Sequence, residues 1–201
     1  MKVDFKNSAT KQNLIRAFAG ESQARNRYTF AASHAKKHCL HVIESVFLFT
    51  ANQEKEHAEI YYNLLKEFAG ESISADGDYP IDIYPDTVKL LRKARNNEYN
   101  EYEHAYADFA KQAELEGFSE ISAKFDMIAK AEKVHGDRFG YYADLIEQGK
   151  LFISDIETKW ICLNCGHIYD GTKAPDTCPV CDHNKGYFIR LELAPFSKRG
   201  M

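Results

Sequence analysis

No stretch of the 201-residue chain approaches the roughly 18 apolar residues of a membrane span. The opening residues, Met1-Lys2-Val3-Asp4-Phe5-Lys6-Asn7-Ser8, also lack the apolar run of a secretory signal. Charge of one sign is missing too. The 26 basic and 30 acidic side chains are mixed along the sequence and leave a formal net charge of −4, so no basic patch points to nucleic acid or an anionic membrane. No G-x-G-x-x-G occurs, which removes the usual nicotinamide fingerprint. Cysteine is almost absent from the first 161 residues: Cys39 stands alone, and the other four of the five fall between Cys162 and Cys181. These absences lead us to expect a cytoplasmic protein with neither membrane nor nucleic acid as partner. In a reducing cytoplasm, cysteines spaced as C-x-x-C pairs serve better as metal thiolates than as disulfides.

What is present divides the chain in two. Periodic sequence rich in Ala, Glu, Lys, Leu and Tyr fills residues 1–148, a short linker is expected at 149–158, and the paired cysteines lie in 159–201. Apolar residues recur at helical spacing over about 8–37, 41–69, 86–116 and 119–147. The first and second helices are joined only by His38 to Leu40, the third and fourth only by a turn at Gly117, so each pair is antiparallel. The link from Gly70 to Pro85 is longer. At roughly 3.3 Å per residue it can run the length of a bundle whose helices rise about 1.5 Å per residue. The expected fold is mainly α: a ferritin-like four-helix bundle with one long crossover, followed by a small four-cysteine metal domain.

The two helical pairs repeat each other at an offset of 77 or 78 residues. Leu14, Ala17 and Glu21 match Leu91, Ala94 and Glu98, while Glu54-Lys55-x-His57 matches Glu132-Lys133-x-His135. Ala24 breaks the match by standing opposite Glu101. The inward stripes are each interrupted by acid at about mid-helix. They read Leu14, Ala17, Phe18, Glu21, Ala24, Tyr28 and Ala31 on the first helix, and Ile43, Val46, Phe47, Thr50, Glu54, His57, Tyr61, Leu64 and Phe68 on the second. The third gives Leu91, Ala94, Glu98, Glu101, Ala105 and Phe109; the fourth gives Phe125, Ile128, Glu132, His135, Phe139 and Tyr142.

Mid-helix positions of antiparallel neighbours share one height, so these groups converge inside the bundle. Burying ionised carboxylates together costs several kcal/mol or more unless cations are bound. A Glu from each of two helices and a Glu-x-x-His from each of the others is a di-iron or di-manganese pattern, because Glu and His three apart share a helix face. Glu101, one turn from Glu98, is either a fifth carboxylate ligand or a solvated neighbour.

Cys162-Leu163-Asn164-Cys165 and Cys178-Pro179-Val180-Cys181 are two knuckles separated by twelve residues, a spacing that suits four thiolates around one ion. So few large apolar residues accompany them that the segment depends on metal to fold. A structural zinc ribbon competes with an iron site on spacing alone. The surrounding Cys-Gly-His-Ile-Tyr-Asp-Gly and Ala-Pro-Asp-x-Cys-Pro-Val-Cys resemble rubredoxin, except that Asp182 stands where a Gly is usual.

Carboxylate and Glu-x-x-His helices with the extra Glu101, followed by a rubredoxin-like segment, resemble the rubrerythrin family over nearly the whole chain. The resemblance implies a di-iron site held by Glu21, Glu54, His57, Glu98, Glu101, Glu132 and His135, with Glu54 and Glu132 bridging, and one iron on Cys162, Cys165, Cys178 and Cys181. It implies a non-haem peroxidase that reduces hydrogen peroxide to water and protects against oxidative stress. Electrons would come from NAD(P)H through a separate reductase or a rubredoxin, and the cysteine domain would relay them within a head-to-tail homodimer or larger homo-oligomer. It also implies that Glu101 and His57 exchange at one iron with redox state. The competing reading is a ferritin-like ferroxidase or iron-handling protein. Tyr28 and Tyr106 are placed to reach the carboxylates or to pack as core aromatics; Cys39 reads as a turn residue, and His34, His104, His167 and His183 as surface residues.

Overall fold

The computed structural model describes residues 3–195. Helix α1 (Ala9–Lys37) starts where Ser8 accepts a hydrogen bond from the Lys11 amide. Glu116 adds a second cap from the far hairpin. Its carboxylate accepts from the amides of Ala9 and Thr10 at 2.9 and 2.8 Å and from the Thr10 hydroxyl at 2.6 Å, which satisfies donors that the helix cannot. The helix ends at Cys39, which takes a left-handed conformation (φ 56°). α2 (His41–Leu64) then returns alongside and closes with a 3₁₀ turn at Lys66–Phe68.

The crossover carries no regular structure and lies along α1 as a strap. Arg16 clasps Asp76 through Nε and Nη2, both at 2.9 Å, Gln12 donates to the Ser74 carbonyl at 2.9 Å, and Arg27 and Asn97 both bond Asp82. Asp86 then caps α3 (Thr87–Asn100) by accepting from the Lys89 amide at 2.7 Å. The second hairpin is completed by α4 (Tyr106–Leu115) and α5 (Ser119–Glu147).

Between α3 and α4 the chain winds as a π-helix over Glu101–Ala105, where the sequence predicts one unbroken helix over 86–116. A π turn accommodates one extra residue, and the repeat offset locates that residue. Glu21 matches Glu98 at an offset of 77, but Tyr28 matches Tyr106, and Glu54 matches Glu132, at 78. The expected inward stripe is therefore corrected beyond Glu98. Glu101, Ala105 and Phe109 are only half-buried, and the buried positions are Tyr106, Ala110 and Ala113.

The core has two apolar layers, one around Tyr28, Phe47, Leu91 and Phe139 and the other around Leu14, Tyr61, Tyr106 and Phe125. The buried acids lie between them. After α5 a three-stranded antiparallel sheet, ordered β2-β1-β3, is formed by β1 (Ile153–Cys162), β2 (Ile168–Lys173) and β3 (Phe188–Arg190) over a small core of Trp160, Cys162, Ala174, Cys178 and Phe188. β1 begins inside the 149–158 stretch expected as linker, because Ile153 pairs with Lys173 and Arg190 Nη2 donates to the carbonyls of Ile153 and Lys150 at 2.9 and 3.2 Å.

This unit docks on the α1–α2 turn. Leu151, Ile189 and Ala194 join the first apolar layer, and Tyr187 stacks on His41 with ring centroids 3.9 Å apart. Gly186 sits so close to the Cys39 carbonyl that a Cβ there would collide with it. No helix among the described residues is long and apolar enough to cross a membrane.

Candidate metal centres

The structure brings six of the seven predicted bundle residues into two overlapping groups: Glu21, Glu54, His57 and Glu132, and Glu54, Glu98, Glu132 and His135. Within each group one ligand atom per residue lies within 4.8 Å of the others. Glu54 and Glu132 belong to both, each with one oxygen in each group. His57 Nδ1 is 3.3 Å from Glu54 Oε2 and 2.8 Å from Glu132 Oε1; His135 Nδ1 is 2.9 Å from Glu54 Oε1 and 2.8 Å from Glu132 Oε2. Glu21 Oε1 flanks His57 at 3.9 Å, and Glu98 Oε2 flanks His135 at 3.6 Å. Two shared carboxylates flanked by one carboxylate and one imidazole on each side are a donor set for two cations.

Close as they are, these atoms do not hydrogen-bond one another. Both oxygens of Glu54 and Glu132, Glu21 Oε2, Glu98 Oε2 and both Nδ1 atoms are buried without a hydrogen-bond partner. Such orphaned groups are expensive unless each group encloses an ion. Burial, and then the charges of Glu132 and Glu54, push Glu21 well above the usual carboxylate range; burial and then Glu54 do the same to Glu98. Burial also works against Glu54, but the imidazoles of His135 and His57 outweigh it and hold that group at about 2. Burial opposes the charged imidazoles as well, yet the neighbouring carboxylates, Glu132 first, raise His57 to about 9 and His135 to about 12. Protons alone leave carboxylates in conflict here, whereas two divalent cations would give these buried atoms partners.

The supporting hydrogen bonds cross between the halves. Tyr106, next to the π-helix, donates to Glu21 Oε1 at 2.6 Å, and Tyr28 on α1 donates to Glu98 Oε1. Each tyrosine thus fixes the carboxylate of the opposite hairpin. Arg138, which no sequence pattern marked, lies one turn past His135 and donates to Thr50 Oγ1 at 2.8 Å and Gln53 Oε1 at 3.0 Å. Burial lowers its pKa and the charge of Glu54 opposes that, so a cation stands beside the acidic layer.

Glu101 lies outside both groups. It opens the π-helix, is half-buried, and is raised to about 8 by burial and by the charges of Glu132 and Glu54. Of the histidines expected at the surface, His104 is exposed and His34, His167 and His183 are half-buried; Cys39 is exposed.

All four paired cysteines meet, with Cys162 Sγ 3.8 Å from Cys181 Sγ and Cys165 Sγ 3.7 Å from Cys178 Sγ. These separations exclude disulfides, whose sulfurs lie about 2.05 Å apart. They match the edge of a tetrahedron with metal–sulfur bonds of about 2.3 Å. The two knuckles are built alike. Gly166 donates its amide to the Cys162 carbonyl at 2.8 Å with φ 76°, and Asp182 donates to the Cys178 carbonyl at 3.0 Å with φ 58°. Burial pushes the Cys162 thiol up to about 12, while the His183 amide holds Cys181 at about 6.

Fold and donors together define a ferritin-like carboxylate di-iron protein with an appended rubredoxin-like four-cysteine site. The family model for rubrerythrin matches residues 12–142, and that for the rubrerythrin rubredoxin-like domain matches residues 160–189. The chain belongs to the rubrerythrin family. It is 44% identical to the rubrerythrin of Clostridium perfringens over 91% of this chain and 94% of that one, and 42% identical to that of Nitratidesulfovibrio vulgaris over 94% and 97%. Among solved structures, partially reduced nigerythrin aligns with a TM-score of 0.63 at 28% identity, covering 94% of this chain and 88% of the other. The bacterioferritin of Desulfovibrio desulfuricans, at 20% identity and a TM-score of 0.62 over 71% of this chain and 82% of the other, shares the fold.

Proposed function

We propose that this chain is a peroxidase that reduces hydrogen peroxide to two waters, consuming two electrons and two protons per turnover. The observation that carries the reading is the pairing, in one chain, of a two-cation carboxylate site with a closed four-cysteine site. Bound in the bundle, two ferrous ions would supply one electron each, and an iron held by the four thiolates would pass single electrons while offering no open coordination position.

In this reading Glu21, Glu54, His57 and Glu132 would hold one iron and Glu54, Glu98, Glu132 and His135 the other, with Glu54 and Glu132 common to both. Tyr106 and Tyr28 keep the terminal carboxylates oriented as charge changes. Glu101 would take the place of His57 when the pair is oxidised, since the harder ferric ion favours carboxylate and the ferrous ion accepts imidazole. Its position outside the tight groups, at the start of a π turn, supports this role. Cys162, Cys165, Cys178 and Cys181 would hold the relaying iron.

Electrons originate in NAD(P)H and arrive through a separate reductase or a rubredoxin, in the cytoplasm. The chain's own cysteine domain docks at His41, and from His41 to Glu54 α2 climbs about 20 Å at 1.5 Å per residue. That separation supports a head-to-tail dimer in which each cysteine domain serves the partner's bundle.

A ferroxidase could use the same six ligands, and Glu101 separates the two readings. Glu101→Ala protein should keep its iron and its ferrous oxidation while peroxide turnover falls about tenfold or more. Unchanged peroxide turnover with the four-cysteine site intact would remove the assignment.

A further inference from the structure

Five carboxylates surround the centre, and four are sealed: Glu21 and Glu132 have no exposed surface and Glu54 and Glu98 have 1%. Glu101 opens outward, onto a solvent-open cavity of about 420 Å³ lined by α1, the end of α3, the π-helix, the start of α4 and the strap. Tyr106, whose hydroxyl holds Glu21, shares that wall, so the cavity floor is one side chain away from the acidic layer.

Gln23 and Arg27, one turn apart on α1, line the cavity with Arg16, Asp76, Asp78 and Glu101. Arg27 donates Nη1 to Asp82 of the strap, and Arg16 pairs with Asp76. A wall that mixes acids, arginines and an amide suits a small polar molecule.

We propose that this cavity is the vestibule through which hydrogen peroxide reaches the centre and water leaves. Glu101 forms the inner wall, and the strap, latched by Arg16 on Asp76, forms the roof. The proposal rests on the peroxidase reading and names the path by which its substrate arrives.

Gly20 supplies the test, because a Cβ added there meets only the Tyr79 ring at 3.8 Å, and a larger side chain then extends into the cavity. In Gly20→Leu protein with full iron and an unchanged four-cysteine spectrum, kcat/KM for peroxide should fall about tenfold while kcat at saturating peroxide changes less than about threefold. The rate at which azide perturbs the absorption of the oxidised protein should fall by a similar factor. Ala105→Leu narrows the same cavity from the π-helix. It should lower kcat/KM about fivefold, and it decides the matter if Gly20→Leu does not load iron. Wild-type kcat/KM and azide rates in the iron-loaded variants would overturn the vestibule and place access elsewhere, such as beside the partly exposed His57. Wild-type protein inert toward peroxide would instead remove the peroxidase reading, with the azide rates still testing the path.

Discussion

Asp182 holds a backbone conformation that glycine holds in the other knuckle. Its φ of 58° lets its amide close on the Cys178 carbonyl, as Gly166 at 76° closes on Cys162. Asp tolerates the left-handed region better than most residues but pays more than glycine there. Asp182→Gly should therefore raise the stability of the metal-loaded cysteine domain by about 0.5–1 kcal/mol, seen as a higher melting temperature with the same visible spectrum. A lower melting temperature would mean that the Asp side chain itself supports the knuckle.

At this scale much was legible from spacing. Glu54 and His57, or Glu132 and His135, share a helix face whatever surrounds them, and paired C-x-x-C knuckles close on one point. Arg138 was not legible, since its meeting with Thr50 and Gln53 depends on how α2 and α5 pack.

Among elements, the π-helix decides how the second hairpin differs from the first. One inserted residue between Glu98 and Tyr106 leaves both in the core but rotates Glu101 to its edge. The repeat offset carried that information, yet a uniform helical period draws a stripe straight through Glu101, Ala105 and Phe109 and so misplaces the third helix beyond Glu98.

The cap that ties the hairpins together was less visible still. Glu116 and the start of α1 are more than a hundred residues apart, and nothing local announces the contact. Burial works against this carboxylate, but the hydrogen bonds from Thr10 and Ala9 hold its pKa below the ordinary 4.5. A depressed carboxylate stabilises the fold fully above its unfolded value and loses that contribution as pH falls through the lower folded one. Glu116→Gln should cost about 1 kcal/mol at neutral pH in denaturant melts. The difference from wild type should shrink as pH drops below about 4.5. A cost that stayed constant to pH 3 would assign the effect to shape rather than charge.

For the whole molecule, the two-part organisation followed from composition, but the docking did not. Stacking of Tyr187 on His41 and the glycine contact at Gly186 join residues far apart in sequence and fix the cysteine domain at the turn end of the bundle. The account holds that peroxide is reduced in the bundle and that the cysteine iron repays the electrons. The most direct measurement is rapid mixing of fully reduced protein, carrying about three irons per chain, with hydrogen peroxide while the iron–thiolate colour is followed. We predict that the colour returns at a rate that rises with peroxide concentration, and that it does not return on this timescale in Glu54→Ala protein lacking bundle iron. Colour that never returns, or that returns equally fast without the bundle iron, would contradict the account.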